Sequence, residues 1–291
     1  MVSLSKTLMH TAICGLTVLA SQVAHGESIK DRVLKEGRLT IGIHNQAPWG
    51  FKTETGEVSG FHPDMIRAVL GPLGVKKIDF VIVEWSAIVP SLLAKRVDVV
   101  ASGLAISPVR CQQVAFSEPD VAVVDALLVK KGNPLKIHSY ADIVANPNVR
   151  VAGGRNSASV ENAQKAGVPK SQFQLFPGVE AGVSALLGDR ADAASYSSAT
   201  IITVLNDPKI KGLERAAPFA GLKEAGHEVA SYAAIAFRPE DAALRDLYSD
   251  SLRKRKADGT VAKIMAKYGF TSAETVPESV TAQNLCRDAY R

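Results

Sequence analysis

Short runs of apolar and β-branched residues alternate with amphipathic stretches along most of the chain. Runs at 39–43, 78–83 and 97–101 predict strands, and the spacing of apolar positions over 63–73 and 87–95 predicts helices between them. Strands that alternate with helices in this way are typical of an α/β fold. We expect these units to form a first lobe.

A second group of elements follows a long apolar strand that ends at Lys131, where Gly132, Asn133 and Pro134 break it. A second long strand, 229–237, leads back to the first lobe and to a helix over 242–257. Two strands that connect two lobes form a hinge and leave a cleft, where small ligands bind. The second group is predicted to contain helices over 140–145, 158–166, 179–187 and 198–206 and strands over 149–152, 174–176 and 192–195.

The predicted division places lobe 1 over 27–131 and 230–291 and lobe 2 over 132–229. Each lobe is expected to hold a mostly parallel sheet flanked by helices. A chain of about 265 residues, which remains after the first segment is removed, fits two ordinary cores better than one.

That first segment, 1–26, has the pattern of a secretory signal peptide. Lys6 is its only charge, its apolar run over 8–20 is too short to span a bilayer, and small residues occupy 24 and 26. We therefore expect cleavage near Glu27 and export to the periplasm. An uncleaved membrane anchor is the alternative, and a lipoprotein is disfavoured because Cys14 lies inside the apolar run.

Two cysteines, Cys111 and Cys286, remain after that cleavage. The periplasm permits disulfides, so we predict that the two are bonded and that the bond fastens the C-terminal tail beside the loop around Cys111. Two buried free thiols are the alternative.

Charge and histidine placement exclude several functions. The net charge of +5 is small and interspersed, and the basic run 253–256 fits the solvated face of a helix, so we expect no nucleic-acid partner. His44, His62, His138 and His227 stand singly, without metal-ligand spacing or a nucleophile nearby. No Gly-rich phosphate loop follows a strand, and we expect no cofactor, metal or catalytic group.

The most informative stretch is 102–119, SGLAISPVRCQQVAFSEP. It follows the strand at 97–101 and so leaves the carboxyl edge of a sheet, where α/β folds bind ligands. It turns through Gly103 and presents Arg110, whose planar guanidinium suits bidentate capture of a carboxylate. A surface arginine near a helix start is the alternative.

Two tryptophans are predicted at the same edge. Trp49 lies in the loop after the first strand, and Trp85 opens the helix after the second. Together with Arg110 they favour a site in which two indoles enclose a flat or cationic ligand. Each indole could instead only cap the core.

On lobe 2 the strand at 149–152 feeds Gly153, Gly154, Arg155, Asn156 and Ser157, and then a helix. A helix N-terminus offers free N–H donors to an anionic group of a ligand. Ser157 could equally serve only as the helix cap.

The stretch 102–119 resembles the signature loop of the family 3 solute-binding proteins, the amino-acid-type receptors of ABC importers. Within that family, APWGF, VEWSAIVPSL, RCQQVAFS and LVKKGNP are similar to the ectoine and hydroxyectoine receptors. The resemblance implies a two-lobed periplasmic binding protein of type II. It also implies Arg110 as the carboxylate holder, Trp49 and Trp85 as aromatic walls, and Ser157 with nearby amides as the contribution of lobe 2.

The chain departs from these receptors at several positions that would face a ligand. Ectoine receptors resemble it but carry a glutamate at Gln46, a third aromatic at Ala105 and an acid at Ser159. General amino-acid receptors place an aspartate near Ser197. The full predicted ligand set is Gln46, Trp49, Trp85, Gly103, Ala105, Arg110, Asn156, Ser157, Ser159 and Ser197.

These observations predict a monomeric periplasmic receptor that delivers a small carboxylate-bearing solute to an ABC permease. One alternative is an enzyme on the same scaffold, such as a dehydratase, for which Glu84 and Asp120 are the candidate acids. Another is a ligand-sensing partner of a membrane protein that binds without transport.

Overall fold

The computed structural model describes residues 28–155, 157–224 and 226–290. The predicted signal segment 1–26 lies outside these residues. Within the described residues, no helix has both the length and the apolar character needed to cross a bilayer.

Eleven α-helices occur in the described residues: α1 Ile29–Glu36, α2 Phe61–Leu70, α3 Ile88–Leu93, α4 Pro108–Cys111, α5 Tyr140–Ala145, α6 Ala158–Lys165, α7 Val179–Leu187, α8 Ser198–Asn206, α9 Ala242–Ala257, α10 Thr260–Lys267 and α11 Ala282–Cys286. The strands there are β1 Arg38–Ile43, β2 Phe51–Lys52, β3 Val58–Ser59, β4 Lys77–Ile82, β5 Val99–Val100, β6 Ala115–Phe116, β7 Val121–Lys130, β8 Val151–Gly154, β9 Phe173–Phe176, β10 Ala193–Ser197, β11 Leu213–Arg215, β12 Lys223–Glu224, β13 His227–Glu228, β14 Ala230–Ala233 and β15 Ala236–Phe237. The predicted helices over 140–145, 179–187, 198–206 and 242–257 match α5, α7, α8 and α9.

The first lobe is built on a five-stranded sheet in the order β4, β1, β5, β15, β6. Strands β4, β1 and β5 are parallel, and β15 runs antiparallel to both of its neighbours. Both faces are covered: Ile41 and Val99 pack into a core with α2 and α9, while Val100 packs on the other side against α3 and α11. Cover on both faces explains why the buried residues of β1 and β5 are apolar on both sides of the sheet.

The second lobe has a sheet in the order β11, β7, β10, β8, β9, with β14 also paired to β7. Strands β10, β8 and β9 are parallel, whereas β7 is antiparallel to β10, β11 and β14. Successive residues of β7 alternate between two cores, with Leu127 and Val129 on one face and Ala126 and Leu128 on the other. The two-lobed α/β prediction is confirmed, and both sheets are mixed because the crossing and returning strands add antiparallel pairs.

The chain crosses between the sheets twice, through the segments before β7 and after β14. Asp120 N donates to Ala233 O at 3.0 Å, and Ser117 N donates to Ile235 O at 2.9 Å, so the two crossings are paired with each other. The predicted single strand 229–237 is divided between the sheets as β14 and β15.

The predicted lobe boundaries at Lys131 and Ala230 assign both crossing strands to lobe 1. In the structure, β7 and β14 hydrogen-bond within the second sheet. The sheet therefore changes near Asp120 and near Ala234, because hydrogen-bond pairing, which the sequence pattern does not show, decides the sheet to which a strand belongs.

The disulfide prediction is confirmed. Cys111, in α4, is bonded to Cys286, in α11, with 5.5 Å between their Cα atoms. Both residues are buried in the second core of lobe 1. The bond therefore holds the C-terminal tail against the helix that carries Arg110.

The two lobes also touch outside the hinge. Thr203 Oγ1, on α8, donates to Ala47 O of lobe 1 at 3.1 Å. Ile202 packs into the main core of lobe 1. Arg215 of β11 pairs with the fully buried Glu274 at 2.5 Å.

Candidate ligand-binding site

Arg110 lies in the short helix α4, with its guanidinium above an aromatic ring. Its Cζ is 5.7 Å from the centroid of the Trp85 ring, and its Nη1 donates to Ala105 O at 2.9 Å. The side chain is half-buried. A guanidinium has five N–H donors, and one fixed contact orients the group while leaving others for a bidentate anion.

The loop before Arg110 is held on the second crossing strand. Ile106 N donates to Tyr232 O at 2.8 Å, Ala234 N donates to Leu104 O at 3.2 Å, and Ala105 forms an isolated bridge with Ala233. Ala105 therefore contributes to the site through its carbonyl oxygen, which positions the guanidinium.

Trp49 is half-buried and lies in a group of aromatic rings. Its indole stacks on His62 with centroids 5.4 Å apart and an interplanar angle of 26°. Phe61 and Phe270 contact other parts of the ring. The indole is thus fixed from behind.

Gly103 packs directly against the Trp49 indole. It has a φ of 71°, and a Cβ atom at this position would lie 2.4 Å from Cδ2 of Trp49. Only glycine satisfies both the backbone conformation and the space. Its backbone N donates to His62 Nδ1 at 2.7 Å.

Trp85 is the more open of the two walls, with 41% of its surface exposed. It begins a short 3₁₀ turn after β4, and His44 meets it edge-on at 5.8 Å between ring centroids. His44 N in turn donates to Ser102 Oγ at 2.7 Å. His44 could not be predicted as part of the site, because its place beside the tryptophan depends on the pairing of β1 with β4.

Gln46 is exposed at the start of the turn that carries Trp49. Gly50 N donates to Gln46 O at 3.1 Å, and Gln46 N donates to Gly50 O at 3.0 Å. These bonds fix the backbone of the turn and leave the amide side chain toward solvent.

The lobe 2 part of the predicted site is the start of α6. Ser157 is half-buried at the N-cap position, and its side chain makes no capping bond to α6 among the described residues. Gly153 lets α6 approach β8, because a Cβ there would lie 2.4 Å from Val160 Cγ2. Asn156 lies outside the described residues.

Two other predicted residues on lobe 2 have internal partners. Ser197 is the N-cap of α8, and its Oγ accepts from Thr200 N at 3.3 Å. Ser159 is buried, and its carbonyl oxygen accepts from Tyr140 Oη at 3.2 Å. Their predicted ligand contacts stay predictions.

A buried carboxyl group that the sequence analysis missed lies opposite Ser197. Asp125 of β7 is paired in register with Ser197 and is 7% exposed. Burial raises its pKa, although hydrogen bonds from Asn162, Tyr140 and Ser159 act in the other direction. Its position could not be read from the pattern, because the pairing of β7 with β10 is long-range.

Glu228 is the second carboxyl group in this part of lobe 2. Burial raises its pKa, and the nearby charge of Asp125 adds to that shift. Gly221 N donates to its Oε1 at 2.9 Å. A Cβ at Gly221 would lie close to both Glu228 Oε1 and Asp125 Cβ, so two desolvated carboxyl groups stand near each other.

The acids considered for catalysis are placed differently from each other. Glu84 is exposed at the N-cap of the Trp85 turn. Asp120 is 1% exposed and contacts His62 Nε2 at 3.2 Å, a partner that the sequence did not reveal. His62 is wholly buried, and its other nitrogen is already bonded to Gly103 N. The buried His62–Asp120 pair is therefore not accessible for proton exchange with a ligand.

Comparison with known proteins gives a family match. The sequence model of the bacterial extracellular solute-binding proteins, family 3, matches residues 39–271. That range includes both crossings of the hinge and every residue of the predicted ligand set.

Individual proteins agree with this match. A probable amino-acid ABC transporter periplasmic-binding protein of Sinorhizobium fredii is 31% identical over 91% of this chain and 85% of its own. The crystal structure of EhuB in complex with hydroxyectoine is 32% identical, covers 89% of this chain and 98% of its own, and has a TM-score of 0.57. An ancestral cationic amino acid solute-binding protein is 29% identical over 83% of this chain and 99% of its own, with a TM-score of 0.67; a second structure of it is described as a precursor of cyclohexadienyl dehydratase.

Proposed function

The chain belongs to family 3 of the bacterial extracellular solute-binding proteins, and on that basis we propose that it captures a small carboxylate-bearing solute in the periplasm for an ABC permease. The observation that supports a carboxylate-bearing ligand is the placement of Arg110, whose guanidinium is oriented by Ala105 O and lies over the Trp85 ring. A cation beside a carboxylate in a partly desolvated cleft forms a charge-assisted pair.

Binding and lobe closure are coupled through the hinge. The solute first meets the fixed groups of lobe 1, and the start of α6 on lobe 2 then reaches its other side. A ligand shifts the lobes toward the closed form only as far as it binds that form more tightly than the open one. The permease recognises the closed form. This scheme, the cleaved signal and the monomeric state are parts of the proposal.

The proposed function does not include catalysis. The matched family and the Sinorhizobium relative are binding proteins by name. Of the candidate acids, Glu84 is exposed and Asp120 is closed off behind His62. The proposal therefore assigns neither group a catalytic role.

The ligand is expected to differ from ectoine. A glutamine at 46 and a serine at 159 stand where ectoine receptors carry acids, and Ser197 lies near the place where general amino-acid receptors carry an aspartate. Loss of two anionic contacts should weaken a cationic ring by more than about 2 kcal/mol, or over about 20-fold. The space beside Ala105 should instead admit a bulkier solute.

A thermal-shift screen of the exported protein tests the proposed function. The panel contains ectoine, hydroxyectoine, glycine betaine, L-arginine, L-histidine and L-cystine, with calorimetry on each compound that raises the melting temperature. Binding of one or more carboxylates with a rise of several degrees supports the function. A flat response to the whole panel and to a wider set of carboxylates would contradict it.

The same measurement tests specificity through Ala105→Phe combined with Gln46→Glu. We expect ectoine to bind the natural protein weakly or not at all and to bind the double variant more tightly, because an aromatic wall and an anion are restored. Gln112→Glu, which adds the same charge at an exposed position outside the predicted site, is the control. Sub-micromolar ectoine binding by the natural protein would overturn this part of the proposal.

A further inference from the structure

His62 lies behind the ligand-facing wall of lobe 1, where its ring contacts Trp49, Gly103 and Asp120. It is wholly buried in α2 and stacks on the Trp49 indole. Its Nδ1 contacts Gly103 N at 2.7 Å, and its Nε2 contacts Asp120 Oδ1 at 3.2 Å. One imidazole therefore touches an aromatic wall, the signature loop and the hinge.

The partners fix the protonation state of this ring. A backbone N–H can only donate, so Nδ1 must accept and cannot carry a proton. The remaining proton is then on Nε2, where it donates to the Asp120 carboxylate. The ring is neutral and in a single tautomer, and it cannot rotate without losing both bonds.

Asp120 is itself fixed in the hinge. Its backbone N donates to Ala233 O, and Ala233 bridges Ala105, whose carbonyl oxygen orients Arg110. Trp49, Gly103 and Arg110 are thus connected through His62 and Asp120 into one unit. A small displacement of His62 would move the Trp49 wall and the Gly103 turn together.

We propose that His62 is a positioning residue for the ligand site. It holds the Trp49 indole and the Gly103 turn in one preformed surface, with the Gly103 N–H fixing the tautomer and Asp120 accepting from Nε2–H. The inference rests on the proposed function only for its effect on ligand affinity. The tautomer and the position of Trp49 are properties of the free protein.

The first measurement is nitrogen NMR of the full exported chain labelled at histidine. His62, identified by its loss in His62→Asn, should show the Nε2–H tautomer. A proton on Nδ1, or a mixture of tautomers, would overturn the proposal. This measurement needs no ligand, so it remains decisive if the proposed function fails.

The second measurement uses fluorescence to separate the two roles of the ring. Because the chain has only two tryptophans, Trp85→Phe leaves Trp49 as the sole source of tryptophan emission. In that background His62→Asn keeps an acceptor for Gly103 N but removes the ring behind the indole, so Trp49 emission should shift to longer wavelength. His62→Phe keeps a ring and should leave the emission near that of the parent.

The third measurement is the affinity of the otherwise natural chain for hydroxyectoine, L-arginine and L-histidine, titrated separately. His62→Phe should lose about tenfold in affinity for whichever compounds bind, because the Gly103 N–H loses its acceptor. Asp120→Asn keeps an oxygen acceptor for Nε2–H and should stay within about threefold. Wild-type affinity in His62→Phe together with unchanged Trp49 emission in His62→Asn would overturn the proposal.

Ser251→Ala is the matched control. Ser251 is buried in the same lobe, and its Oγ donates to Val69 O at 2.7 Å, away from the cleft. Its loss should lower the melting temperature while leaving the affinities and Trp49 emission unchanged. A control that weakens binding as much as His62→Phe would assign the effect to general destabilisation of lobe 1 and overturn the positioning role.

Discussion

The two lobes contribute to the cleft in different ways. On lobe 1, Arg110, Trp49 and Gly103 are each fixed by contacts behind the ligand surface, to Ala105 O, the His62 ring and His62 Nδ1. On lobe 2, the start of α6 offers backbone amides and the hydroxyl of Ser157, which makes no capping bond to the helix.

This difference indicates that the two lobes of a closing receptor can have separate roles in ligand selection and in closure. Groups that are already ordered lose little conformational entropy when a ligand arrives, so lobe 1 can select the solute in the open state. In the proposed scheme, the amides of lobe 2 come close to the ligand only after closure. We therefore expect changes to the ligand-facing residues of lobe 1 to affect affinity, and changes at the start of α6 to affect closure.

The largest expected effect is on the free energy of unfolding, through the disulfide that holds the C-terminal tail on lobe 1. Replacing Cys111 and Cys286 with serine should lower the free energy of unfolding by roughly 3–5 kcal/mol, because the bond closes a loop of 175 residues. Denaturant titration measures the change, and reduced wild type should match the double variant. Equal stability of the oxidised wild type and the double variant would show that the bond does not hold the tail.

Arg110→Ala should reduce affinity by about 100-fold or more, because the ligand carboxylate loses its charge-assisted partner in the closed cleft. Calorimetry on the correctly folded variant measures the loss. Arg67→Ala is the matched control, since Arg67 also lies over an aromatic ring of lobe 1, 5.2 Å from the Phe80 centroid, and outside the predicted set. Similar losses in both variants would remove the special role of Arg110.

Gly103→Ala should disturb the Trp49 wall and cost roughly 2 kcal/mol in binding, because the new methyl group would overlap the indole. Gly132→Ala provides the control: it has a φ of 82° and open space around its Cα, so it carries the backbone strain without the overlap. Both variants should lose some thermal stability, and only Gly103→Ala should lose affinity. Equal affinities would place the indole outside the site.

The smallest effect is expected on lobe 2. Burial raises the pKa of Asp125, so the folded state disfavours its ionised form. Stability is therefore highest below the ordinary carboxyl pKa and falls as pH rises through the raised value. Asp125→Asn removes this penalty and should stabilise the protein at pH 7 by about 1 kcal/mol, with the gain disappearing toward about pH 4.

Asp192→Asn is the opposite case on the same lobe. Its hydrogen bond with Arg150 lowers the pKa of Asp192, so its stabilisation is present above the ordinary carboxyl pKa and is lost as pH falls through the lowered value. This variant should be less stable than wild type at pH 7. Changes of the same sign in Asp125→Asn and Asp192→Asn would contradict the assignment of Asp125 as a desolvated acid.

The sequence predicted most elements because local patterns determine them. The helices α5, α7 and α8 begin and end at the predicted residues, and Ser197 caps α8 through its hydroxyl. The strand over 229–237 was predicted as one element but is two, because its residues pair with different sheets. Pairing partners of that kind lie far apart in the chain.

The candidate site was predictable only in its outward-facing parts. Arg110, Trp49 and Trp85 could be recognised from their places after strands and from the resemblance. His62 stood alone in the sequence because its partners, Asp120 and Gly103, are 58 and 41 residues away. Supporting contacts of this kind depend on how the strands are ordered.

The central claim is that Arg110 on the fixed half of the cleft holds the carboxylate of the solute. The most direct test compares the tightest-binding acid of the panel with its carboxamide, in wild type and in Arg110→Ala, by calorimetry. We predict that wild type prefers the acid by about 30-fold or more and that the variant shows little preference, because the charge-assisted pair is the main difference between the two ligands. Equal binding of acid and amide by the wild-type protein would contradict the claim.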